Sequence, residues 1–163
     1  MQKILKAFTL IELLVVIAVL AVLAAMVMIA INPAGMMQKA RDSTRVSDVA
    51  TLRDAINIRL AEPVILTDTA MRSSCTAGTT FNCDGTGALN WVTVDLCAYL
   101  STLPRDPTNT GSLCYRYVAS GNTYELNVKL EHPNNATKMQ NDGGNSNNWY
   151  EVGTDPGLDL MGE

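Results

Sequence analysis

Nineteen consecutive residues, Leu13 to Ile31, carry neither a charge nor a polar side chain. A helix apolar on every side needs lipid or other apolar surface all around it, not one buried stripe. At 1.5 Å per residue, residues 8–31 reach about 36 Å, enough to cross a hydrocarbon layer of about 30 Å. Residues 1–7, MQKILKA, precede the run as a short basic leader with Lys3 and Lys6 and no acid. A basic leader and an apolar run fit a secretory signal or a membrane anchor. The run exceeds the roughly 7–15 residues of a signal peptide, and no A-x-A-like site closes it, so a retained anchor is expected. The lysines predict a cytoplasmic N-terminus. One carboxylate, Glu12, stands at the head of the run between Ile11 and Leu13. An ionised Glu near a bilayer core is expensive and calls for a partner.

The remainder reads as one modest domain. The chain has 163 residues, with 12 basic and 16 acidic side chains, for a formal charge of −4. Setting Lys3 and Lys6 aside leaves ten basic against sixteen acidic residues, or −6. Phosphate backbones are bound mainly through Lys and Arg, so no nucleic-acid partner is indicated.

Asn32-Pro33 predicts a kink or short break in the helix, because proline removes a donor and clashes one turn back. Over residues 37–62 the pattern turns amphipathic. Val46, Val49, Leu52, Ile56 and Leu60 recur at steps of three or four, with Arg41, Arg45, Asp48 and Asp54 expected largely off that stripe. Glu62-Pro63 ends the helix. Residues 67–90, rich in Thr, Ser, Gly and Cys, read as irregular loop. Residues 91–104 suggest a short strand or turn and then a short helix to Leu103, with Leu96, Tyr99, Leu100 and Leu103 as its apolar face. Residues 113–119 and 124–131 are strand-like, joined by a Ser120-Gly121-Asn122-Thr123 hairpin turn. In the second, Tyr124, Leu126, Val128 and Leu130 alternate with Glu125, Asn127, Lys129 and Glu131, the pattern of a half-buried strand. Asparagine-rich residues 132–148 read as loop and residues 149–153, WYEVG, as a last strand. The expected fold is α+β: a long N-terminal helix, its apolar half protruding, its amphipathic half packed on a small antiparallel sheet. The expected segments are 1–7, 8–31, 32–62 and 63–163.

The four cysteines, Cys75, Cys83, Cys97 and Cys114, form no C-x₂-C pair, and His132 is the single histidine, which argues against structural zinc. An even count downstream of an export-like segment reads as two disulfides. Three connectivities are possible. Cys75–Cys83 with Cys97–Cys114 is favoured, since each pair is close in sequence and brackets turn-rich chain.

No nucleophile elbow, phosphate loop or metal-binding helix motif is present, so no enzyme and no cofactor are expected. Asp142, Asn145, Asn147, Asp155 and Asp159 offer oxygen ligands of the kind calcium prefers, without EF-hand spacing. Solvated Asx turns explain the same residues more simply. Asn135-Ala136-Thr137 is a weak glycosylation sequon. Trp91 and Trp149 read as core, and Arg41, Arg45 and Arg53 as a solvated face able to meet acids on adjacent subunits.

The stretch KAFTLIELLVVIAVLAVLAAMVMIAINP, Lys6 to Pro33, resembles the N-terminus of type IV pilins and of type II secretion pseudopilins. The resemblance lies in the basic leader, the small residue, Phe-Thr-Leu-Ile-Glu and the apolar helix. It implies a prepilin peptidase that cuts between Ala7 and Phe8 and N-methylates Phe8, leaving Glu12 fifth in the mature chain. The family usually has Gly where this chain has Ala7, and its helix-breaking proline often lies nearer the cleavage site than Pro33. The LPRDP segment at 103–107 looks like a segment of major pseudopilins, a group that binds calcium near the C-terminus; residues 141–155 look like the C-terminal loop of small disulfide-bonded pilins. The resemblance implies an inner-membrane precursor and a homopolymer, assembled by pilus or secretion machinery, whose helices pack side by side. In that polymer the N-terminal amine of one chain would meet the Glu12 carboxylate of a neighbour or of its own chain. The outcomes implied are a surface pilus or, alternatively, a short periplasmic piston. A membrane-anchored binding domain that never polymerises is the reading from another class.

Overall fold

A computed structural model of the chain describes residues 8–66, 69–86 and 89–162. The leader and Ala7, on which one side of the expected cleavage site falls, lie outside the described residues. Two compact units emerge, one ending at Met37 and one beginning at Gln38.

In the first unit, α1 runs Leu10–Ile31 and buries none of its residues. Asn32 ends it in the left-handed region, φ 47° and ψ 71°. Asparagine tolerates that conformation through its short polar side chain. The next helix, α2, begins at Pro33 and ends at Leu60. Proline suits a first helical position, where its missing N–H would be unpaired anyway. The Asn32 side-chain oxygen accepts the Gly35 N–H at 3.2 Å and its carbonyl accepts the Met36 N–H. The expected interruption is therefore a single left-handed residue that closes one helix and caps the next.

In the second unit four strands form one antiparallel sheet in chain order: β1 Arg72–Ser73, β2 Arg116–Ser120, β3 Thr123–Val128 and β4 Tyr150–Gly153. The β2–β3 hairpin pairs Ser120 with Thr123. Gly121 occupies the first loop position at φ 63°, where glycine meets no steric penalty. Tyr117, Ala119, Tyr124, Leu126 and Val128 form one face of the sheet and pack with Val49, Leu52, Ala55 and Ile56 of α2. Tyr124 Oη donates to the Arg53 carbonyl at 3.1 Å and Tyr115 Oη to Asp48 at 2.7 Å, so the helix is fastened as well as packed. Trp91 joins this core, and Trp149 is buried too.

Several expectations are corrected. Residues 91–104 make one turn, with Leu100 N–H on the Leu96 carbonyl, and not a helix. The Leu96 N–H is already held by the Cys83 carbonyl at 2.7 Å, and Thr102 pairs with Asn82, which pulls the chain extended again. Leu96 and Leu103 are buried as an apolar face requires. The loop expected at 132–148 contains a 3₁₀ turn, Pro133–Asn135, and a short helix α3, Ala136–Gln140. His132 starts the turn by accepting the Asn134 N–H on Nδ1.

The disulfides are nested: Cys75–Cys114 and Cys83–Cys97, with Cα separations of 5.7 and 4.8 Å. The pairing of sequence neighbours, Cys75–Cys83 and Cys97–Cys114, is not formed. The reason is strand register. Arg72 faces Tyr117, Ser73 faces Arg116, and Ser74 N–H bonds the Tyr115 carbonyl at 2.9 Å, so the next pair in line is Cys75 and Cys114.

β3 is buried on both faces. Glu125 and Asn127, expected in solvent, are covered, because the 141–148 loop and the C-terminal tail lie over that side: Ser146 N–H reaches Glu151 and Met161 N–H reaches Glu125.

Candidate processing and assembly segment

The head of α1 is a capping box. Thr9, extended at φ −80° and ψ 151°, accepts the Glu12 N–H on its hydroxyl at 3.3 Å. Glu12 reaches back and accepts the Thr9 N–H at 2.9 Å and the Thr9 hydroxyl at 2.7 Å, all on one oxygen, Oε2. Thr-x-x-Glu satisfies two otherwise unpaired helix-start donors reciprocally. The resemblance implied an N-terminal amine, of a neighbour or of its own chain, as the partner of this carboxylate. Within one chain it already has a local partner, and the Thr-x-x-Glu spacing was the signal for it. Oε1 is left to other donors, and Phe8, 83% exposed, precedes the box directly.

The side chains of α1 stand open along the helix: Ile11, Leu14, Val15, Leu20, Leu23, Met26 and Ile29 are all exposed. A window of the helix has a mean hydropathy of 3.3, sufficient in length and composition to cross a membrane. The capped carboxylate and the exposed apolar helix therefore occur in one unit.

The helical arginines serve the second unit. Arg45, expected off the apolar stripe, is fully enclosed. Its Nε and Nη2 bond both oxygens of Asp106, at 2.6 and 3.0 Å, and its Nη1 bonds Asp42 and Glu131. Asp106 belongs to LPRDP and also accepts the Thr108 and Asn109 N–H groups. Arg41 adds a two-pronged pair to Glu131, at 2.8 and 2.6 Å. Burial disfavours the Arg45 charge, but the hydrogen bonds of Asp106 and Glu131 outweigh it and hold the guanidinium protonated. Arg41's hydrogen bonds, against some burial and with help from Arg45, hold Glu131 down to about 2. Sequence spacing cannot find such a network, since Arg45 meets residues 61 and 86 positions away. Arg53 does pair at the surface, with Asp54.

Two of the remaining expected site residues, Asp142 and Asp155, make local backbone hydrogen bonds. Asp142 accepts the Gly144 and Glu151 N–H groups, and Asp155 accepts that of Asp159. Asn145 and Asn147 are exposed. Among the described residues no group of three or more His, Cys, Asp or Glu side chains is placed to hold a metal ion. The sequon's Asn135 donates its amide to Asp42 at 2.7 Å, which engages the nitrogen a glycan would need.

A family model for the prokaryotic N-terminal methylation motif matches residues 6–28, which spans Phe8, Thr9, Glu12 and most of α1. The chain carries the signature of type IV pilin and pseudopilin precursors. Its α+β fold, with a long N-terminal helix and a small antiparallel sheet, is the arrangement that signature implies. Neither the comparison with curated proteins nor that with solved structures finds a match.

Proposed function

We propose that this chain is the precursor of a type IV pilin, a structural subunit cleaved between Ala7 and Phe8, N-methylated on Phe8 and polymerised through α1 into a surface filament. One observation carries the reading: the methylation motif coincides with a capped carboxylate at the head of a helix with no buried residue. A helix so apolar has two resting places, lipid before assembly and the packed helices of other subunits after it. The hydrophobic term per Å² of apolar surface is already largely met in lipid, so helix packing and polar pairing must supply the discrimination.

Glu12 is suited to that task. Cleavage converts the Phe8 nitrogen into a charged amine next to the box. Glu12 Oε1 remains for an amine, from its own chain or from a staggered neighbour. Pairing with a neighbour's amine offsets the desolvation of both charges, and a subunit docked at the wrong height loses that pairing. Prepilin peptidase and an inner-membrane assembly machine are the implied partners. Nested disulfides and a C-terminal YEVG strand favour a pilus; LPRDP favours the alternative, a pseudopilin of a periplasmic piston. Shearing cells and probing the released material decides between them. Abundant mature chain in the sheared filaments supports the pilin, and mature chain confined to the envelope supports the piston.

A further inference from the structure

The second face of the sheet carries two unpartnered buried acceptors at its centre, Glu125 Oε1 and Asn127 Oδ1. Arg116, Asn127 and Glu151 lie in one row across β2, β3 and β4, and Glu125 lies in the next row, opposite Gly153. Glu125 and Glu151 are both 0% exposed. Glu151 has a donor on each oxygen, Asn127 Nδ2 at 3.2 Å and Ser146 N–H at 2.8 Å. Glu125 accepts the Met161 N–H on Oε2 at 3.0 Å, and the Leu160 N–H also acts on it. Glu125 Oε1 and Asn127 Oδ1 are buried acceptors with no hydrogen-bond partner. Acceptors in this state carry a large penalty, and an ionised carboxylate cannot relieve it, because it only accepts. A protonated carboxyl carries an O–H donor of its own.

We propose that Glu125 carries a proton on Oε1 and that the resulting neutral-acid and carboxylate pair with Glu151 latches the C-terminal tail, Leu158 to Met161, onto the sheet. Glu151, with two donors, is the ionised member. The Met161 N–H joins the tail to the acid, and the buried Leu158 and Met161 side chains cover it. When base removes the proton to solvent, two enclosed carboxylates face each other. The tail is the element that opens, since Leu158 to Met161 belong to no strand of the sheet.

From the 141–148 loop, Asp142 accepts the Glu151 N–H and adds negative charge. From the tail come Asp155 and Asp159. The Arg116 guanidinium from β2 is stacked 3.8 Å over the Trp149 ring, and Lys129, further along β3, lies 5.9 Å from the same ring. Burial raises Glu125 above the ordinary carboxyl range, and the Glu151 charge raises it further, while the Met161 N–H and Asn127 act against both. A raised carboxyl stabilises the closed form below its ordinary titration and loses that contribution as pH climbs through the raised value.

The test uses the full chain in detergent micelles with carbon-13 in the glutamate carboxyls. At about pH 7 the Glu125 carboxyl carbon is expected at its protonated shift, well apart from ordinary glutamates. Above its midpoint the Met161 amide, corrected for intrinsic exchange, is expected to lose protection about tenfold per pH unit. Glu125→Gln keeps a neutral side chain there, and its Met161 protection is expected to stay flat. An ionised Glu125 carbon at about pH 6 with Met161 still protected overturns the latch. So does an equal pH dependence in Glu125→Gln, or none in the natural chain. The carbon titration alone decides the matter if the variant does not fold.

Discussion

Arg45 clasps both oxygens of Asp106 inside the second unit, Nε to Oδ2 at 2.6 Å and Nη2 to Oδ1 at 3.0 Å, with both side chains enclosed. The clasp joins α2 to the LPRDP segment, and Glu131 extends it to the chain just beyond β3. Removing one member of a buried pair strands the other charge. Asp106→Asn and Arg45→Met are each predicted to cost about 3–5 kcal/mol. Arg53→Ala, which breaks a surface pair, is predicted to cost under about 1 kcal/mol. Denaturant unfolding of the full chain followed by tryptophan fluorescence checks this; equal midpoints for the three variants would contradict it.

Glu131 sets the acid limit of the same network. Its folded carboxyl sits at about 2 against an ordinary 4.5, so it binds fewer protons folded than unfolded. Its stabilisation is present in full above about 4.5 and is lost as pH falls toward about 2, an amount up to about 3 kcal/mol. Glu131→Gln is predicted to lower stability near neutrality and to flatten its decline across that acid window. An unchanged slope in stability-against-pH measurements would sink the assignment.

How much of this was legible in the sequence follows from the range of each interaction. The capping box at Thr9 and Glu12, the break at Asn32-Pro33, the helix stripe Val49, Leu52, Ile56 and the Gly121 hairpin are local, and residue type at fixed spacing states them. The position of Arg45 is not local. A charge on a helix reads as solvent-facing until the chain returns with Asp106 and Glu131. The polar side of β3 reads the same way until the tail covers Glu125. The cysteine pairing depended on β1, two residues long, which composition alone read as loop.

The nested disulfides give a direct chemical check. Non-reducing proteolysis is predicted to join the peptide of Cys75 to that of Cys114, and that of Cys83 to that of Cys97. Chain-entropy reckoning assigns about 4 kcal/mol to the wider loop and about 3 to the narrower. Cys75→Ser is therefore predicted to lower the unfolding midpoint at least as far as Cys83→Ser. Peptides joining Cys75 to Cys83 would overturn the register argument.

Gly144 is required by packing. A Cβ placed there would collide with the Glu151 carboxylate and Cβ. Gly144→Ala is predicted to destabilise by about 1–3 kcal/mol, the range for overpacking, whereas Gly143→Ser, with open space around it, tests only its positive φ of 93°. Similar unfolding midpoints for Gly144→Ala and the natural chain would refute the contact.

Glu12 has a local role and a proposed intermolecular one, and a single substitution separates them. Glutamine preserves the capping box, since Glu and Gln both serve at that position, but it removes the charge. If charge pairing sets the stagger, Glu12→Gln inserts in the membrane normally and loses filaments as severely as Glu12→Ala. Filament yield at the natural level in Glu12→Gln would leave capping as the whole role of the residue.

Mass spectrometry of the N-terminal peptide from material sheared off the cell surface tests the central claim most directly. The expected chain begins at Phe8 and carries one methyl group on its amine. A sheared chain that still begins at Met1, or one cut elsewhere and unmethylated, would contradict it.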